Sequence, residues 1–81
     1  MRVGVTLFAQ LRDLAGAGDM TVEVPDDAHA REVWQALVVR CPELAPFGTS
    51  VSCAVNAEYA KLDTVVRAGD EVAFLPPVSG G

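Results

Sequence analysis

The sequence predicts an α+β fold, a mixed sheet of four to five strands with one main helix packed on one face. Short segments near both ends alternate apolar and polar residues, and one central stretch repeats its apolar residues at helical spacing. A composition of 51% hydrophobic and 21% charged residues is rich enough to fold. At 81 residues the chain has room for one modest core, burying about 60 to 65 per cent of its unfolded surface.

The first segment, RVGVTLF, places Val3, Val5 and Leu7 on the core side of a strand and Arg2, Gly4, Thr6 and Phe8 on the other. In AQLRDLAGAGD the spacing of Leu11, Leu14 and Ala15 gives about two helical turns before Gly16 and Gly18 stop them. MTVEV alternates again, with Met20, Val22 and Val24 on one face, and predicts a second strand antiparallel to the first.

The main helix follows in HAREVWQALVVR, where Ala30, Val33, Trp34, Leu37 and Val38 form one apolar stripe. Asp27 is the expected cap on residue preference, with His29 and Glu32 as the alternative start. Pro42 should end the helix near Arg40. ELAPFGTS reads as a loop, and VSCAVN as a third strand with Val51, Cys53 and Val55 inward. A short apolar segment at Val65 and Val66, a turn at Ala68–Gly69–Asp70 and a last strand from Glu71 to Leu75 complete the order. A hairpin, a helix across the sheet and a final strand entering beside the first describe a β-grasp arrangement.

A sheet with one helix leaves its opposite face uncovered. Val72 and Phe74 are in phase with the core, so Ala73 and Leu75 point outward, as does Phe8. If the first and last strands are neighbours, Phe8 and Leu75 make an apolar patch for a partner. A Phe8 side chain curling back from the strand end into the core is the competing arrangement.

The formal charge of -5, from 11 acidic and 6 basic residues, with no basic run, argues against nucleic acid. It suits a basic protein surface instead. No apolar run approaches the roughly 18 residues of a membrane span, and Met1 leads directly into the first strand with no secretory pattern. Membrane association is therefore not expected, and the cytoplasm is the expected compartment, where Cys41 and Cys53 would remain thiols.

The last residues are the most informative. Pro76 and Pro77 donate no amide hydrogen, end ladder pairing and hold the chain extended. Val78 and Ser79 follow, and Gly80 and Gly81 lack a Cβ, so this end could thread a narrow tunnel. A terminal glycine carboxylate is a poor acyl donor until it is joined to AMP, after which sulfur or nitrogen can displace the AMP. The expected organisation is one domain over residues 1–81, with 76–81 as an extended tail.

LFAQLRDLAG near the start, AVN at residues 54–56 and AGDEVAFLPPVSGG at the end resemble the small, sulfur-carrier subunit of molybdopterin synthase, a ubiquitin-like family, over nearly the whole chain. The resemblance implies that Gly81 is adenylated with ATP by an E1-like adenylyltransferase and converted to a thiocarboxylate with sulfur from a donor protein. The tail then enters the large synthase subunit and passes sulfur to cyclic pyranopterin monophosphate. Two transfers per product imply a heterotetramer with two small subunits. By position, Gly81 carries the sulfur, Gly80 admits the tail, and Phe8 and Leu75 contact partners. Leu75 departs from a family pattern in which an aromatic residue is frequent. No bound cofactor is implied.

Other chemistry is thinly supported. Cys53 is in phase with the core, Cys41 follows a helix end, and His29 has no clustered ligands at metal spacing. GAGD at 16–19 lacks the rest of a phosphate loop. Asp70 and Glu71 point to opposite faces and form no acid/base pair. A carrier for thiamine or cysteine synthesis, a protein modifier that joins lysines, and an interaction module are the alternatives.

Overall fold

The computed structural model describes residues 1–77. Five strands form one mixed sheet in the order β2-β1-β5-β3-β4. They are β1 (Arg2–Leu7), β2 (Asp19–Glu23), β3 (Ser52–Val55), β4 (Glu58–Ala60) and β5 (Glu71–Leu75). The sheet is antiparallel except where β5 lies parallel to β1, with Val5 opposite Val72 and Leu7 opposite Phe74. The last strand thus sits in the middle of the sheet, between β1 and β3. This is the β-grasp arrangement expected from the element order.

One face of the sheet is the core. Val3, Val5, Leu7, Val22, Cys53, Val72 and Phe74 are buried there, as the alternation requires. Helix α2 (Ala30–Arg40) lays Ala30, Val33, Trp34 and Leu37 against them. Trp34 meets Phe74 edge-to-face, with ring centroids 5.1 Å apart. Helix α1 (Ala9–Ala15) contributes Leu11 and ends at Gly16, whose φ of 75° is the left-handed C-cap that glycine adopts without strain.

Three expectations are corrected. Asp27 is not the cap of α2: it sits at φ 65° inside a turn in which the Ala28 N–H donates to the Pro25 carbonyl. The cap is His29. Its N–H donates to Glu32 Oε1 at 3.2 Å, while Ala30 and Arg31 donate to the carbonyls of Thr64 and Leu62. Those distant carbonyls fix the helix start, a long-range effect that local cap preference cannot register.

The segment after α2 is a 3-10 helix over Pro42–Phe47 and not an irregular loop, and it buries Leu44 completely. The short strand lies at Glu58–Ala60, earlier than the apolar pair at 65 and 66. Val65 makes only an isolated bridge to His29, while Val66 is buried and donates its N–H to Ala28. A tight turn with positive φ at both Asn56 (51°) and Ala57 (71°) joins β3 to β4. Alanine stands where such a turn ordinarily carries glycine, which hides the hairpin signal.

Candidate functional site

The face of the sheet opposite α2 carries the candidate site. Thr6 of β1, Ala73 of β5, Ala54 of β3 and Tyr59 of β4 form one continuous cross-strand row. Three small side chains in that row keep the middle of the face shallow. Tyr59 stands at its β4 end with 80% of its surface exposed.

Phe8 caps the end of β1 and begins α1. It is 46% exposed, so it points outward and does not curl into the core. Leu75 is half-buried, ends β5 and lies opposite Ser52 of β3. Leu7 pairs with Phe74, so Phe8 and Leu75 each follow a paired residue of two neighbouring strands; Phe8 lines a shallow pocket of the open face with Thr6, Asp19, Glu71 and Ala73. Phe8, Leu75 and Tyr59 give this face an apolar character that α2 does not cover.

Pro76 is half-buried and Pro77 exposed, directly after the end of β5. Val78, Ser79, Gly80 and Gly81, the other residues assigned to the tail, lie outside the described residues. Pro76 and Pro77 therefore continue directly from a central strand.

A polar clamp holds the opposite end of β5. Asn56 donates its side-chain amide to Asp70 Oδ1 at 3.1 Å and accepts the Glu71 N–H at 3.0 Å. Its own N–H donates to the Glu71 carbonyl at 2.8 Å. Asp70 also accepts the Arg67 N–H at 2.9 Å. The Asn56 amide, and after it the Arg67 N–H, hold the Asp70 carboxyl below its ordinary range. The asparagine of the AVN segment is thus a register pin for the strand that bears the tail. Sequence reading quoted it as part of a motif but assigned it no work.

Cys53 is buried and donates to the Ala60 carbonyl at 3.2 Å, and burial pushes its thiol pKa up. A nucleophilic thiolate needs the reverse environment. Among the described residues, no three His, Cys, Asp or Glu side chains gather closely enough to hold a metal ion. His29 is engaged at 2.9 Å with Glu32. No helix among them is long and apolar enough to cross a membrane.

A mixed five-stranded β-grasp sheet, with its last strand in the middle and one helix across one face, defines a ubiquitin-like protein. The ThiS family model matches residues 5–81, and the chain belongs to the ThiS family. It is 35% identical over its whole length to the molybdopterin synthase sulfur carrier subunit of Arabidopsis thaliana, covering 84% of that protein. It is 39% identical to small archaeal modifier protein 1 of Haloferax volcanii, with 93% of this chain and 95% of that one covered. The crystal structure of SAMP1 from Haloferax volcanii superposes with a TM-score of 0.86 at 36% identity, covering 100% of both chains.

Proposed function

We propose that this chain is a sulfur carrier of molybdenum cofactor biosynthesis, acting through its terminal glycine. It works as one domain over residues 1–81, with 76–81 as the tail. The observation that carries the reading is that central strand β5 ends at Leu75 and leads directly into Pro76 and Pro77, at an open face that also exposes Phe8. A partner that grips the open face thereby meets the start of the tail at Pro76 and Pro77. Full-length similarity to proteins named molybdopterin synthase sulfur carrier subunit supports the same assignment.

In this mechanism an E1-like adenylyltransferase joins the Gly81 carboxylate to AMP, with pyrophosphate leaving ATP. A sulfur donor protein then supplies the sulfur that displaces AMP, and the carboxylate becomes a thiocarboxylate. Pro76 and Pro77 extend the tail, Val78 and Ser79 continue it, and Gly80 passes the constriction of the large synthase subunit. Sulfur is transferred there to cyclic pyranopterin monophosphate. The carrier holds no cofactor of its own, consumes ATP only through its activating enzyme and works in the cytoplasm. The large subunit supplies the catalytic groups, and two carriers serve a dimer of large subunits.

Intact mass of the protein from cells that keep the pathway, with fragmentation to locate any oxygen-to-sulfur exchange, tests this. Sulfur on Gly81 is expected. Fragmentation is needed because oxidation of Met1 or Met20 adds nearly the same mass. A bare carboxylate under sulfur-replete conditions with the activating enzyme present overturns the reading.

Similarity to small archaeal modifier protein 1 favours a second reading, in which activated Gly81 acylates lysines of other proteins. Isopeptide conjugates in the same cells, absent when Gly81 is deleted, would support it.

A further inference from the structure

We propose that the cleft between the start of α2 and the end of β4 receives one carboxylate of the protein that grips the open face, held between Arg31 and Lys61. The proposal rests on the reading that a partner docks on that face, and it names chemistry that such a partner must bring.

Two backbone bonds build the cleft. The N–H groups of Ala30 and Arg31 donate to the carbonyls of Thr64 and Leu62, each at 2.9 Å, which straps the segment after β4 to the first turn of α2. Arg31, in that turn, and Lys61, the residue after β4, thereby line one open cleft of about 470 Å³ with Ser52, Tyr59, Leu62 and Asp63. Its lip is continuous with the open face. Tyr59 belongs to both, and Ser52 lies opposite Leu75 at the end of β5. An occupant of the open face reaches the cleft without crossing a gap.

Charge here runs against the rest of the molecule. The whole chain has 11 acidic and 6 basic residues, whereas two cations and one carboxylate line this cleft. Elsewhere Arg2 is paired with Glu23, and Arg40 is bound to the Thr21 carbonyl. Among the described residues, Arg31 and Lys61 pair with no carboxylate. Asp63 is exposed and beyond ion-pair distance of both, and Glu32, next to Arg31 on α2, is engaged by His29 at 2.9 Å.

The cleft therefore keeps one net positive charge, which matches a single carboxylate better than a doubly charged phosphate. A phosphate also takes backbone N–H donors where a helix begins, and those of Ala30 and Arg31 are already given to Thr64 and Leu62. A second copy of the chain, itself at -5, is repelled as a whole. A carboxylate seated beside Tyr59 and Leu62 is partly shielded from water, which strengthens its attraction to both cations.

The test uses the full chain with each protein assigned above to the open face, the large synthase subunit and the adenylyltransferase, and reads affinity and contact. Lys61→Gln and Arg31→Gln should each weaken association about two- to fivefold and make it less sensitive to salt. Lys61→Arg and Arg31→Lys, which keep the charge, should retain it. Contact is read with a water-soluble carbodiimide, which activates a carboxylate so that a lysine amine forms an amide and the urea leaves. Lys61 is the only lysine of the chain, and the Met1 ammonium is held by the Val24 carbonyl at 2.6 Å. Peptide mapping should therefore find Lys61 joined to an Asp or Glu of the partner. A complex with unchanged affinity in both glutamine variants, or one that forms without that amide, overturns the proposal and leaves the carrier reading standing. Amides joining Lys61 to a second copy overturn it in favour of self-association. Displacement of the partner by inorganic phosphate at constant ionic strength overturns it in favour of a phosphate group. Should neither protein bind the unaltered chain, both readings fall.

Discussion

Phe8 follows Leu7, the ladder partner of Phe74, yet Phe8 is exposed and Phe74 fully buried. The consequences of truncating them should differ accordingly. Phe74→Ala removes a fully buried ring packed on Trp34 and should cost about 3 to 5 kcal/mol in denaturant unfolding. Phe8→Ala should cost less than about 1.5 kcal/mol in the same assay while weakening capture by the partner of the open face. A loss at Phe8 as large as that at Phe74 would place its ring in the core. Ala57 offers the reverse case, because a Cβ at φ 71° is strained. Ala57→Gly should raise stability by about 0.5 to 1 kcal/mol with an unchanged denaturant slope, strain relief outweighing the added freedom of the unfolded chain.

At the scale of elements, the helix start and the entry to β5 are each held by a carboxylate. Glu32 is lowered from its ordinary 4.5, first by the His29 side chain and then by the His29 N–H. Asp70 is lowered from 3.8, first by Asn56 and then by the Arg67 N–H. A depressed folded-state pKa contributes stability that is present above the unfolded value and lost as pH falls through the folded one. Stability should therefore decline below pH 4.5 and further below 3.8, as followed by thermal melts across that range. Asn56→Ala should flatten the part that belongs to Asp70. The strands and α2 were legible in the sequence because periods of two and 3.6 survive in local order: Val3, Val5, Leu7, Val33 and Leu37 are all buried as that order requires. The cap, the 3-10 helix and β4 were not. His29 is chosen by carbonyls more than thirty residues away in sequence, and Leu44 belongs to no periodic run.

For the molecule as a whole, the tail lies beyond the last paired residue, so residues added after Gly81 should abolish sulfur transfer and leave the unfolding midpoint within error. A destabilised extended variant would mean that the end packs against the domain. The apolar face could be read from alternation alone for Phe8 and Leu75. Tyr59 escaped because its strand is short and its turn lacks glycine. The central place of β5 also bears on how the protein is made. Within the sheet, the β1–β2 and β3–β4 pairs have no common neighbour until residues 71–75 emerge during synthesis. A nascent chain cut short before that point leaves the facing edges of β1 and β3 unpaired. The strand that completes the sheet is also the last one made, so a chain that stops before residue 71 lacks both the central strand and everything after it.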